Sequence, residues 1–377
     1  MAAISRGELG GARLGTTLVF LVTGIGTGAW AASLPAFQSR LGLSEGALSI
    51  ALLAFAAGAV LSMPVAGLLA PRLGTGRATR WLGLAFAAAT LLPPLAGGLA
   101  SLSVLALLLG AAMGATDVAM NAHASHVESR WDGAIMSSFH AAFSAGGLVG
   151  AGLGAGIAWL GGAEGWIMAG AGLLCLALVG AAWPRIGPGE AGGGGPAFRL
   201  PGRAALGLGA AAGACMVAEG AMADWSAVYL STVAKASPPV AAAGYAVFSA
   251  AMVLGRLTGD RIVRALGPAR VAAGGGALAA LGYALAAATP ELAIAGCALI
   301  GLGLSNIVPV LFSAAGRLGP SPATGIAMVA TAGYAGFLLG PPVVGGIASV
   351  TGLRAAFILL ALLAGAVAVM GARLRRA

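Results

Sequence analysis

Residues 184–202 read PRIGPGEAGGGGPAFRLPG, a polar run of glycine and proline in a chain that is otherwise strongly apolar. The run is too polar to cross a bilayer and has the composition of a flexible tether. On either side of it the sequence is a succession of apolar stretches of about 20 residues, the length that carries a helix across about 30 Å of hydrocarbon. Of the 377 residues 59% are hydrophobic, against 20 Lys plus Arg and 11 Asp plus Glu. A water-soluble protein could not cover its surface with so few charges. Unsatisfied backbone groups are costly in lipid, so each stretch is read as one helix. The stretches are Leu14 to Pro35, Gly46 to Ala70, Trp81 to Leu99, Leu102 to Ala124, Ile135 to Leu160, Gly165 to Trp183, Ala204 to Leu230, Val240 to Ile262, Ala269 to Ala288, Leu292 to Ala314, Ala323 to Val350 and Arg354 to Met370. This predicts an all-α polytopic membrane protein of twelve spans: an N-terminal six-helix bundle over 1–183, a linker over 184–202 and a C-terminal six-helix bundle over 203–377.

An even number of spans puts both termini on one side. Seventeen of the twenty basic residues fall on that side, and Arg40, Lys235 and Arg354 on the other. The positive-inside rule therefore predicts cytoplasmic termini in a bacterial inner membrane. No cleavable leader is expected, because the first fifteen residues lack a signal-peptide pattern. The net charge of +9 is scattered between apolar stretches without a continuous basic face, which argues against nucleic acid. Cys175, Cys215 and Cys297 lie in three different spans with no CxxC and no neighbouring His, so neither a disulfide framework nor a metal site is indicated. No cofactor is expected.

The two halves repeat. At an offset of 189, Pro71-Arg72 falls opposite Asp260-Arg261, and Gly114-Ala-Thr-Asp117 opposite Gly303-Leu-Ser-Asn306. At 190, Gly146 and Gly150 meet Gly336 and Gly340. Such a duplication is a signal of secondary transporters, whose substrate site sits near the midplane between the repeats.

With these motifs in hand, the sequence resembles the major facilitator superfamily. The family carries a G-x-x-x-D-R-x-x-G-type motif after the second span of each half. The C-terminal copy reads Gly255-Arg-Leu-Thr-Gly-Asp260-Arg261-Ile-Val-Arg264, and the N-terminal copy, Gly67-Leu-Leu-Ala-Pro71-Arg72-Leu-Gly74, lacks the acid. The resemblance implies that Asp260, Arg261 and Arg72 serve gating, with the carboxylate of Asp260 directed to the start of the fifth span near Ile135 to Ser137. The stretch Gly110-Ala-Ala-Met-Gly114-Ala-Thr-Asp117-Val-Ala-Met-Asn121 is similar to the fourth span of the fucose permease-like branch, in which an acid followed four residues later by Asn lines the cavity. Independently, positions 113, 117 and 121 form one stripe on a helix face. The pair Gly336 and Gly340 before Pro341-Pro342 is similar to an antiporter signature but lies in the eleventh span, and it is read as close helix packing with a possible kink.

Acids inside a membrane are functional hypotheses by default. Asp117, Glu219 and Asp224 stand within spans. Asp117 is the principal candidate for proton coupling, with Glu219 second and His140 a possible relay. Glu219 and Asp224 have an alternative as structural hydrogen-bonding groups, and His140 as a packing donor. Asn121, Asn306, Trp30, Asp224, Trp225 and Tyr334 are candidate substrate-binding residues. Trp30, Trp225 and Tyr229 are alternatively interfacial aromatics. No Arg or Lys is expected near the membrane centre, which favours a neutral polar or cationic solute over a phosphorylated one. Walker A and HExxH patterns do not occur, which argues against an ATP-driven pump and against a metalloenzyme. The expected activity is proton-coupled transport of a small neutral polar solute, sugar or polyol in type, by a monomer in contact with membrane lipid. The alternative is proton-driven efflux of a cationic or amphiphilic compound.

Overall fold

The computed structural model describes residues 6–159, 164–187, 189, 203–318 and 321–373. Most of the tether at 184–202 lies outside the described residues. The helices are α1 (Arg6–Arg40), α2 (Glu45–Leu73), α3 (Thr75–Ala89), α4 (Leu99–Glu128), α5 (Met136–Trp159), α6 (Glu164–Ala182), α7 (Arg203–Thr232), α8 (Pro238–Leu266), α9 (Pro268–Ala288), α10 (Ala293–Leu304), α11 (Ile307–Ala315), α12 (Pro322–Thr351) and α13 (Leu353–Arg373). Counting α10 and α11 as one interrupted span gives twelve, and no strand occurs among the described residues. Among the described residues, eight segments are long and apolar enough to cross a membrane, and a shorter apolar helix covers Trp166–Ala182.

Two spans differ from the hydropathy reading. The third was expected from Trp81 to Leu99 but runs from Thr75 to Ala89. Gly74, at φ 88°, breaks the chain between α2 and α3, and Pro93 and Pro94 end the span early in a short 3-10 turn. The tenth was expected to be continuous, yet it breaks at Ser305 and Asn306. The cause is Pro309, which has no N–H to give to the carbonyl four residues back, that of Ser305. The Ser305 carbonyl instead accepts a hydrogen bond from Arg256 Nε at 3.3 Å.

The chain forms two compact units. One comprises Met1–Asp132, Phe139–Arg199 and Gly316–Met328; the other comprises Gly133–Ser138, Leu200–Ala315 and Val329–Ala377. In the first, α2 and α4 touch backbone to backbone: a methyl group on Gly58, Gly110 or Gly114 would collide with the carbonyl of Leu107, Phe55 or Ala59. Small residues permit this approach where lipid offers no hydrophobic drive between helices. In the second unit, a Cβ on Gly336 would stand 2.6 Å from the Gly213 carbonyl, so the α12 glycines serve close packing against α7. Large apolar side chains such as Leu61, Trp166 and Leu362 face outward. Asp117, Asn121, His140, Arg256 and Asn306 are buried.

Candidate functional site

In the first unit α4 presents Met113, Asp117 and Asn121 on one face, all buried. Two hydroxyls fix the register of this face: Thr23 Oγ1 on α1 lies 3.1 Å from Met120 Sδ, and Thr79 Oγ1 on α3 donates to the Ala119 carbonyl at 2.9 Å. Asn121 Nδ2 donates to the Asp117 carbonyl at 2.9 Å and to Asp117 Oδ1 at 3.3 Å. Asp117 Oδ2 and Asn121 Oδ1 are buried with no hydrogen-bond partner among the described residues. Such groups are strongly disfavoured in an apolar surrounding unless something comes to meet them. His140 on α5 is buried edge-on against Phe20, with ring centroids 5.3 Å apart. Trp30 is buried in a stack with Phe55, centroids 5.8 Å apart, so it is not an exposed interfacial aromatic.

The second unit handles its acid differently. Glu219 Oε1 lies 3.6 Å from Arg256 Nη2. The expectation that no base lies near the centre of the spans is therefore overturned. Arg256 lies in the middle third of α8, and its guanidinium reaches Glu219 on α7. Asn306, the repeat counterpart of Asp117, sits in the α10–α11 break and donates to the Gly255 carbonyl at 2.9 Å and to Ser305 Oγ at 3.0 Å. Its amide thus fastens the break to α8, and Gly259 leaves the space in which its Oδ1 lies. Asp224 is exposed on α7, and Tyr334 is half-buried on α12. Trp225 is half-buried with its ring over Gly345, and its Nε1 has no partner among the described residues. Tyr229 donates to the Ala286 carbonyl at 2.7 Å and stacks on Phe357, which makes it a packing residue.

Asp260 is buried at the end of α8 and accepts a hydrogen bond from the Ser138 backbone N–H at 3.1 Å. Residues 133–138 pack within the second unit, so the carboxylate meets the first turn of α5, where amides lack intrahelical acceptors. Beside it, Arg264 Nη1 donates to the Ala134 carbonyl at 3.0 Å, and Gly133, at φ 107°, makes room for the Arg264 stem. Arg261 and Arg72 are both exposed. The arrangement in the first unit at the end of α2 lacks an acid: Thr324 Oγ1 donates to the Gly67 carbonyl at 3.4 Å, and Ala327 packs on Gly67.

Residues 16–328 match the sequence profile described as Major Facilitator Superfamily. The chain belongs to the Major Facilitator Superfamily. It is a multi-pass membrane transporter of that family, not an enzyme. An uncharacterised MFS-type transporter of Yersinia pestis is 40% identical over 356 residues, covering 93% of this chain and 92% of that protein. Among solved structures, the Escherichia coli fucose:proton symporter FucP superposes with a TM-score of 0.78 at 17% identity, covering 99% of this chain and 100% of FucP. The proton:xylose symporter XylE gives 0.76 at 14% identity over 97% of this chain and 95% of XylE. At such identities the likeness is one of fold.

Sequence reasoning missed Arg256 and the break beside it. A signal was present in each case, since Arg256 stands inside a predicted span and Pro309 inside another.

Proposed function

We propose that this transporter is a proton-coupled symporter for a small neutral polar solute, sugar or polyol in type, working as a monomer by alternating access with both termini in the cytoplasm. The observation that carries the reading is Asp117: a buried carboxylate that accepts from Asn121 through one oxygen and, among the described residues, has no donor at the other. A carboxyl group that gains and loses a proton there changes the charge of the site outright, because among the described residues no cation forms an ion pair with it. Asn121 Oδ1 and Trp225 Nε1 are free polar atoms of the kind that hydroxyl groups of a solute satisfy. Glu219, seated 3.6 Å from Arg256 Nη2, takes the structural role in this reading and ties α7 to α8. The sugar:proton symport named for FucP and XylE supports the same class. The uncompensated carboxylate would equally attract a cation, and that feature favours proton-driven efflux of a cationic compound as the second reading.

A thermal-shift screen of sugars, polyols, amino acids and cationic compounds on the purified protein selects the probe. The probe is then assayed in proteoliposomes. Symport requires counterflow of the probe and its accumulation when an inward proton gradient is imposed. Counterflow without gradient-driven accumulation would refute proton coupling, and stabilisation only by cationic compounds would replace symport with the efflux reading.

A further inference from the structure

The first unit carries a long apolar groove of about 440 Å³ in its outer face. Its walls are α2 from Gly58 to Leu73 and α3 at Ala78 to Leu82, and its floor is α4 at Leu107, Ala111 and Ala115. The floor is closed because α2 and α4 meet backbone to backbone at Gly58 and Leu107. Along α2 the groove runs for about 22 Å at the helical rise, more than half the hydrocarbon thickness of roughly 30 Å. A chain entering from the interface can therefore lie in it along the whole depth of one leaflet.

The interface end of the groove is marked by charge. It opens at Leu73 and Trp81, beside the α2–α3 turn, where Arg72 and Arg77 are exposed. Neither has a hydrogen-bond or ion-pair partner among the described residues. The acid that the other repeat places at this point, Asp260, is replaced here by Pro71, so no carboxylate neutralises them from within the motif. Trp81 stands at the mouth, 60% exposed, and rests edge-on against Trp183 with centroids 5.0 Å apart. An amphipathic indole at the end of an apolar trough is suited to the boundary between acyl chains and headgroups.

We propose that this groove is a binding site for one anionic phospholipid, with an acyl chain along α2 and the phosphate between Arg72 and Arg77. The charge complementarity selects an anionic lipid over a zwitterionic one, and the concave apolar lining receives its acyl chain. The lipid supplies the negative charge that the first repeat lost with its acid.

The test is native mass spectrometry of the purified full chain released from micelles containing phosphatidylglycerol or phosphatidylethanolamine of equal chain length. The expected result is retention of one phosphatidylglycerol in preference to phosphatidylethanolamine. Arg72→Gln and Arg77→Gln should each weaken that retention about 5-fold, and together about 30-fold, as expected of basic residues at a membrane surface. Filling the floor with Ala111→Leu and Ala115→Leu should abolish retention of long-chain lipid while both arginines remain. Equal retention of the two lipids, or a phosphatidylglycerol preference that survives loss of both arginines, would overturn the headgroup assignment. Undiminished long-chain retention in the filled variant would overturn the groove. If the filled variant does not fold, a short-chain phosphatidylglycerol on the wild-type protein decides the same point, since retention equal to that of the long-chain lipid excludes an acyl-chain site.

Discussion

The fourth and tenth spans occupy equivalent places in the two repeats and solve the problem of buried polarity in opposite ways. Helix α4 is uninterrupted for 30 residues and leaves Asp117 Oδ2 and Asn121 Oδ1 unmet. The α10–α11 span is broken by Pro309; Arg256 on α8 donates to its freed Ser305 carbonyl and Asn306 Nδ2 donates to the Gly255 carbonyl, while Asn306 Oδ1 has no partner among the described residues. Glu219, the acid of that half, has a guanidinium at 3.6 Å. A polar group already answered by a neighbour supports structure, whereas one left unanswered is available to a proton or a solute. The difference assigns the reactive carboxylate to the first unit and the restrained one to the second.

The largest effect is expected where the comparison is sharpest. Asp117→Asn should reduce gradient-driven accumulation by at least about 100-fold, the scale on which loss of a proton-transfer group is felt. Its counterflow should persist if the carboxyl couples protons. Accumulation at the wild-type level in proteoliposomes would erase the proposed difference between the two spans.

Breaking the restraint comes next. Arg256→Gln leaves Glu219 without its cation and the Ser305 carbonyl without its charged donor, and should destabilise the protein by about 1.5 to 3 kcal/mol. Glu219→Gln, which removes the acid but keeps the donor to Ser305, should cost less, and the double variant less than the sum of the singles. Thermal melts of the four proteins in one detergent check this, and strictly additive losses would mean that the pair is not coupled.

The two motif ends extend the comparison. Gly67→Val places side-chain atoms where Ala327 already sits and should lower stability by about 1 to 3 kcal/mol as overpacking, again read from the melt. The smallest effect is expected at Asp260. Its contact with the Ser138 amide is a helix-terminus interaction, worth about 0.3 to 1 kcal/mol for the dipole part. If it holds the closed side shut, Asp260→Asn should raise the labelling rate of a cysteine at the buried position Ser125 by about 2- to 5-fold, the same energy expressed as a population. An unchanged rate would show that charge at this end does no more than packing does at Gly67.

Hydropathy made the spans, the duplication and the family resemblance legible, because each depends on one-dimensional spacing. The stripe of Asp117 and Asn121 was legible for the same reason: helix periodicity alone puts them on one face. The pairing of Arg256 was not, since its place inside a span was readable but spacing along one helix does not tell which group on another span its guanidinium meets. Nor was the use of Asn306, which the repeat likened to Asp117. A single proline three residues later turned its amide onto the α8 backbone. For Tyr229 the sequence offered an interfacial aromatic only as one alternative, and the Ala286 carbonyl and Phe357 beside it give it a packing role instead.

Helices α2 and α4 meet through Gly58, Gly110 and Gly114 with carbonyls seated where side chains would be. Two rods keyed in this way cannot slide or roll past one another without lifting apart, and lifting would open a void that neither lipid nor side chain fills. They therefore travel as one plank in any conformational cycle. Paired spin labels on the outer faces of α2 and α4 should keep a single distance in every state of the transporter, an internal ruler against which the movement of all other helices can be measured.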